Sequence, residues 1–395
     1  MEFADRILRL EDRSLLEIME IPTSDQIISF AGGFPSPETY PLKEIEATFL
    51  GAIEEAGAKA FAYASTSGLP SLRQQILKRM EDKLGVRYEM DEIIVTSGSQ
   101  QGVDMSGMLF VNKDDVILFE TPSYLGAVNA LRAYEAELVG VPMDQEGIEI
   151  QALKDCLEKY GDRVKLIYVI PDFQNPTGRS WSTKRRKAFM QEMSNYDIPI
   201  VEDGAYSELS FEKEPQQPLC AYDTNGQVVY VGTFSKSFCP GLRVAWLCAR
   251  KELMEKYLVL KSASDLASST IAQYQMSYYL KHFDMDGHVK EISLIYKHRR
   301  NVMADAIEQH FPEEVKYVLP KGGLFIWAEL PEGKDTRELL KRAIAKNVTF
   351  VPGSSFYPGD RKYHQMRLNF SNMNDVETEK GIKILGTLIK EYLAE

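Results

Sequence analysis

Cysteine is scarce in this sequence: Cys156, Cys220, Cys239 and Cys248 are the only four in 395 residues, and no two stand in CxxC spacing. That excludes a disulfide framework and argues against a cysteine-based zinc site. The five histidines, His282, His288, His298, His310 and His364, are scattered without carboxylates at ligand spacing, so a metal enzyme is not expected. Positive charge is in deficit, with 46 Lys and Arg against 58 Asp and Glu and a net charge of -12, which disfavours a nucleic-acid partner because phosphate backbones attract a basic face. Long apolar runs are absent too, so no segment is expected to cross a membrane. The opening stretch, MEFADRILRLEDRSLLEIME, is amphipathic and acidic rather than basic and then apolar, and the reading is a cytoplasmic protein. Internal repeats, low-complexity tracts and Pro/Ser-rich linkers are also missing.

What is present is a 44% hydrophobic, 26% charged chain, enough for a substantial core and more than one domain. Short apolar, β-branched runs alternate with amphipathic helical stretches at residues 92–96, 116–120, 138–141, 164–170, 198–202, 228–232 and 244–248. Runs that are apolar throughout suit a sheet buried on both faces, so a largely parallel α/β sheet is expected over residues 46–270. Residues 271–395 read as a smaller α+β domain: a long helix including 296–309, strands at 323–329, 348–351 and 365–370, and a final helix over 376–393. The first 45 residues are too few for a domain and are expected to pack with the small domain and the site.

In open α/β sheets ligands bind beyond the carboxyl ends of the strands, so the residues following each run carry the functional signal. The first run ends in Ser97-Gly98-Ser99-Gln100-Gln101 and opens a helix, offering amides, a hydroxyl and a helix dipole to an anion. The second leads to Thr121-Pro122-Ser123-Tyr124, where Tyr124 can stack on a planar ring. The run VKLIYVIPDFQNPTG delivers Asn175, and the next ends in Glu202-Asp203-Gly204-Ala205-Tyr206. Each of these alone is an ordinary turn or cap. The stretch VVYVGTFSKSFCPGLRVAWL is sharper, because it sets Thr233, Ser235, Lys236 and Arg243 between apolar strands. A lysine there is costly to bury as a bare ammonium and is better neutralised or made to react.

Taken in order, SFAGGFPSPETYP, AYASTSGLPSLR, TSGSQQG, TPSY, FQNPTG, EDGAY, GTFSKSFCPGLR, PKGGLFIW and MRLNFS make the chain resemble, over nearly its whole length, the fold-type I, class I/II aminotransferases that use pyridoxal 5′-phosphate (PLP). The nearest subgroup is the α-aminoadipate/kynurenine aminotransferases, together with the aminotransferase-like domain of MocR regulators. The resemblance implies a PLP-transferase fold and a ping-pong exchange of an amino group between an L-amino acid and a 2-oxo acid, commonly 2-oxoglutarate. It implies that Lys236 holds the cofactor covalently and shuttles a proton, and that Asp203 keeps the pyridine nitrogen charged. By the same resemblance Asn175 and Tyr206 bond the phenolic oxygen and Tyr124 stacks on the ring. Ser99, Gln100, Thr233, Ser235 and Arg243 then hold the phosphate, with Tyr63 reaching it from a second subunit of a homodimer. On the substrate side it implies Arg367 for the α-carboxylate, Gly33 and Asn175 close by, and Arg13 for a distal carboxylate.

Three rivals remain at this level. The basic clusters at 184–187 and 297–300 fall in helical patterns and read as solvated faces rather than nucleic-acid contacts. A MocR-type sensor without turnover would carry an N-terminal winged helix, for which the stretch before SFAGG leaves no room, so an enzyme is expected. A PLP-dependent β-lyase shares the same anchors and differs in its products.

Overall fold

The computed structural model describes residues 2–8, 27–212 and 216–395. In chain order the strands are β1 (Ile28–Ser29), β2 (Ile93–Thr96), β3 (Val116–Thr121), β4 (Glu137–Asp144), β5 (Gly147–Ile148), β6 (Val164–Val169), β7 (Ile200–Asp203), β8 (Val228–Thr233), β9 (Ala245–Cys248), β10 (Lys316–Val318), β11 (Phe325–Glu329), β12 (Val348–Thr349), β13 (Val351–Pro352) and β14 (Gln365–Asn369). Eight of them form one sheet in the order β2-β9-β8-β7-β6-β3-β4-β5. The pairs β4·β3, β3·β6, β6·β7 and β7·β8 are parallel, and β9 runs antiparallel between β8 and β2. Strands β2, β3, β6, β7 and β8 therefore all end at the same edge.

These strands form where the sequence is β-branched and apolar because helices cover both faces. Every residue of β2, β7, β8 and β9 is buried. Burying one such Val, Leu or Ile side chain contributes about 1.5–3 kcal/mol, and alternation of polar residues would forfeit half of it. The molecule is thus an α/β protein with a large, mainly parallel sheet.

A second sheet, β10-β11-β14-β13, is antiparallel and lies with the helices Met285–His310 and Asp375–Ala394. The second of these helices starts at a capping box, Asn374 Oδ1 accepting from Glu377 N at 2.9 Å and Glu377 Oε2 accepting from Asn374 N at 3.4 Å. The run expected as one strand over 348–351 is divided: β12 pairs in parallel with β1, while β13 joins β14. Through β1 residues 28–30 are stitched to the chain's C-terminal part, with Phe30 N donating to Thr349 O and Asn369 N to Phe30 O, each at 2.8 Å.

The basic clusters need correcting. They are helical, but neither is simply a solvated face. Arg186 is fully buried, its Nη2 2.5 Å from Asp172 Oδ1, because it shares a helix face with Phe189, Met190 and Met193. Arg299 is also buried, pairing with Glu38 at 2.6 Å and donating to the Ser371 carbonyl.

Candidate active site

The strand ends converge because of register. Thr96 of β2 and Thr233 of β8 both stand opposite Ala245 of β9, from its two sides. The turn Ser97-Gly98-Ser99 therefore neighbours the pair Ser235-Lys236 and Arg243, although it lies more than a hundred residues from them in sequence. Asp203 ends β7 opposite Val231, one strand over.

Together these elements enclose a cavity whose walls include Gly33, Ser99, Gln100, Tyr124, Asn175, Asp203, Tyr206, Ser235, Lys236, Arg243 and Arg367. Thr233 is set back from it. Its Oγ1 donates to Ser235 Oγ at 2.9 Å and accepts from Ser235 N at 3.1 Å, so it orients the serine. Tyr63 is 90% exposed and lies outside this cavity. Arg13 lies outside the described residues.

At one end the helix Ser99–Phe110 points its N-terminus into the cavity, following Gly98 at φ 89°. A Cβ on Gly98 would collide with the Arg243 guanidinium, so glycine lets the cation lie against the turn. Arg243 itself has φ 54° and touches Ser235 Oγ and Pro240 O, each at 3.4 Å. Free amides, a hydroxyl and a guanidinium form a cradle for an anion.

In the middle, Lys236 Nζ donates to Gly33 O at 2.9 Å and lies 6.0 Å from the Tyr206 ring centroid. Burial lowers its pKa to about 8, against the opposing pull of the Asp203 charge, with Arg367 and Arg243 lowering it further. Burial raises the Asp203 carboxyl, while bonds from Tyr168 and Ala205 and the Lys236 charge hold it down. Tyr168 Oη donates to Asp203 Oδ2 at 2.7 Å and Ala205 N to Oδ1 at 3.1 Å. Asn175 Nδ2 donates to Tyr206 Oη at 3.2 Å.

At the far end Arg367 lies mid-strand in β14, opposite Trp327 of β11 and Val351 of β13. Its Nη1 donates to Asn175 Oδ1 at 2.9 Å and its Nη2 to Ala31 O at 2.6 Å, with Phe325 and Phe356 against its faces at 4.4 and 5.0 Å. Nε has no partner. Desolvation lowers its pKa to about 10, although Tyr206 and Tyr124 pull it upward. Among the described residues no carboxylate pairs with it, so the site holds a buried cation with neutral acceptors, suited to a planar anion.

Sequence reasoning missed Tyr168, which holds Asp203, and the apolar walls Phe34, Leu125 and Phe356. Tyr168 lies within the apolar stretch Leu166–Ile170, where its hydroxyl gave no signal. Among the described residues there is no group of His, Cys, Asp and Glu that could hold a metal ion and no helix long and apolar enough to cross a membrane.

Residues 28–385 match the family described as aminotransferase class I and II. Aromatic-amino-acid aminotransferase 1 of Thermococcus litoralis is 38% identical over 394 residues, covering 99% of this chain and 94% of its own. The 2-aminoadipate transaminase of Thermus thermophilus is 33% identical over 389 residues, covering 98% and 96%. A crystal structure of Pyrococcus horikoshii kynurenine aminotransferase, described in complex with PMP, KYN as substrates and KYA as products, superposes with a TM-score of 0.94 at 36% identity, covering 99% of this chain and 97% of that one.

Proposed function

The chain belongs to the class I and II aminotransferases, and from that premise we propose which residue performs which task and how the protein is assembled. It is an aminotransferase of fold type I, its cofactor is pyridoxal phosphate, and its substrates are an amino acid and a 2-oxo acid. The observation that carries the assignment of roles is the single cavity in which Lys236, with its pKa at about 8, lies between Asp203 and Arg367.

The residues present fit the cofactor: the Gly98–Arg243 cradle suits its phosphate, a readily deprotonated lysine suits its carbonyl, and a buried carboxylate suits its ring nitrogen. When bound, PLP supplies a carbonyl for amines and a ring that draws electrons away from the substrate Cα. Ser99, Gln100, Ser235, Arg243 and the amides at the start of the helix Ser99–Phe110 hold the phosphate, and Thr233 fixes Ser235. Asp203, oriented by Tyr168, keeps a proton on the ring nitrogen. Asn175 and Tyr206 grip the phenolic oxygen, and Tyr124 covers the ring. Lys236 Nζ would hold the cofactor and, as a free amine, would move a proton at the substrate Cα; a lysine near pKa 8 can do this in both directions close to neutral pH.

Arg367 receives the α-carboxylate with its fork, Asn175 lies beside it, and Gly33 leaves room for the substrate; a Cβ there would lie 3.8 Å from Arg367 Nη1. Arg13 is assigned to a distal carboxylate. Exposed Tyr63 is assigned to the phosphate of a second copy, which makes the protein a homodimer with shared sites. The acceptor is 2-oxoglutarate and the protein is cytoplasmic. Residues 46–270 form the cofactor-binding domain and 271–395 the small one, with 1–45 packing against the latter and the site.

Absorbance spectroscopy with single amino acids tests this reading. With 2-aminoadipate, glutamate, leucine, phenylalanine or kynurenine, the cofactor spectrum should change to that of the pyridoxamine form with release of the matching oxo acid. Retention of the PLP spectrum with every donor would overturn the roles. Sedimentation should give twice the chain mass, and a monomer with full activity would remove Tyr63 from the scheme.

A further inference from the structure

Lys261 lies on the helix Lys251–Ser264, away from the cavity walls, yet its side chain is 0% exposed. Burying an ammonium is costly unless it is paired and hydrogen-bonded. Its Nζ contacts Asp265 Oδ1 at 2.9 Å and Oδ2 at 3.1 Å, Ser268 Oγ at 3.0 Å and Gln101 Oε1 at 3.1 Å.

The partners of Lys261 all turn toward one residue. Gln101 Oε1 also accepts from Ser97 N at 2.8 Å, and Asp265 Oδ2 accepts from Ser97 Oγ at 2.9 Å. Ser268 Oγ lies 3.1 Å from the same hydroxyl. Ser97 is thus held by both its backbone and its side chain from a single buried charge. It immediately precedes Gly98, whose backbone the Arg243 guanidinium packs against, and Ser99, which starts the helix aimed into the cavity.

We infer that Lys261 is a positioning residue for the phosphate cradle, acting through Gln101 and Asp265 on Ser97 to fix the turn that presents the amides of the helix start. The inference rests on the assignment of this end of the cavity to the cofactor phosphate. Hydrogen bonding from a flexible turn to an anion loses strength when its amides must be ordered on binding, and the Lys261 network removes that loss beforehand. The charge does not touch the ligand. Its effect is confined to the phosphate end, since Lys236, Asp203 and Arg367 are held by other contacts.

The test compares PLP with pyridoxal, which lacks the phosphate, binding to the full-length protein stripped of cofactor. The unaltered protein should prefer PLP strongly, and absence of that preference would overturn the phosphate assignment itself before any variant is made. In Lys261→Met the PLP dissociation constant should rise about tenfold or more, the size expected from loosening charge-assisted bonds, while that of pyridoxal stays unchanged. At saturating PLP, kcat should be retained. Equal weakening of both ligands would show a general scaffold role and overturn the proposal, as would unchanged PLP binding. Gln101→Met, near-isosteric and without a charge to strand, provides the same ratio if Lys261→Met does not fold. It should weaken PLP alone, by less than the lysine variant, and no change would overturn the proposal.

Discussion

Arg243 follows a short turn, Pro240–Leu242, in a left-handed backbone conformation, and its side chain is exposed and held by two long bonds of 3.4 Å. Arg367, at the other end of the same cavity, is buried in the middle of β14, between two strands and two aromatic rings. An exposed cation attracts an anion weakly and needs the amides and hydroxyls around it to share the work. A desolvated one binds strongly and selectively, because an anion entering that site replaces little water and meets a fixed fork. On the proposed roles, the phosphate end is a distributed site and the carboxylate end a concentrated one. A resident group gains from many modest contacts, whereas a substrate that must enter and leave is recognised by one strong one.

Lys236, between the two ends, belongs to neither, and its removal should have the largest effect. Lys236→Ala is expected to keep measurable PLP binding through the distributed phosphate end while transamination falls by about a thousandfold or more, in line with loss of an anchored acid–base group. Stopped-flow turnover near that of the unaltered enzyme would break the assignment. Arg367→Ala comes next. It should reduce kcat/KM for every amino acid by about a hundredfold, the scale of truncating one partner of a buried charged pair, with the PLP dissociation constant unchanged. If cofactor affinity fell as much as substrate affinity, the two ends would not be separate sites.

The same contrast explains what the sequence made legible. The inner strands of the large sheet are mostly apolar and buried, so their positions follow from composition, and the boundaries Ile93–Thr96 and Val228–Thr233 each differ from the expected ones by one residue; β4, Glu137–Asp144, is charged at both ends and mostly unburied, and it runs past the expected 138–141. Strands β1, β5, β12 and β13 have two residues each, too few for any period to register. Residues at strand ends could be read because the chain direction brings them to one edge. Lys261 and Arg186 could not, since a lysine or arginine on a helix looks like a surface charge until partners 160 or 14 residues away are placed. Tyr168 was hidden for the opposite reason, a polar atom within an apolar strand.

Gly98→Ala probes the distributed end more gently. The added methyl would displace the Arg243 guanidinium and strain a residue at φ 89°, so PLP affinity should drop about tenfold while the KM for amino acids at saturating PLP stays the same. Isothermal titration of the cofactor-free protein gives the first quantity and steady-state kinetics the second. A drop in amino-acid affinity equal to that for PLP would show that the ends are mechanically coupled.

The smallest effect concerns how charges at the middle of the cavity share control of Lys236. Burial is the main reason its pKa lies at about 8 rather than in the ordinary lysine range, and the Asp203 charge opposes that shift. Below that pKa the amine is protonated and unreactive; above it the neutral, nucleophilic form prevails. Labelling of cofactor-free protein by an amine-specific reagent, followed at the Lys236 peptide by mass spectrometry, should therefore rise through a midpoint near pH 8. Asp203→Asn removes the charge that favours the ammonium, so the midpoint must move down, and Arg367→Ala removes a charge that disfavours it, so the midpoint must move up. Opposite displacements from the two variants would mean that Lys236 senses both neighbours directly. A midpoint in the ordinary lysine range, or two shifts of the same sign, would mean that water enters the cavity freely enough to screen them.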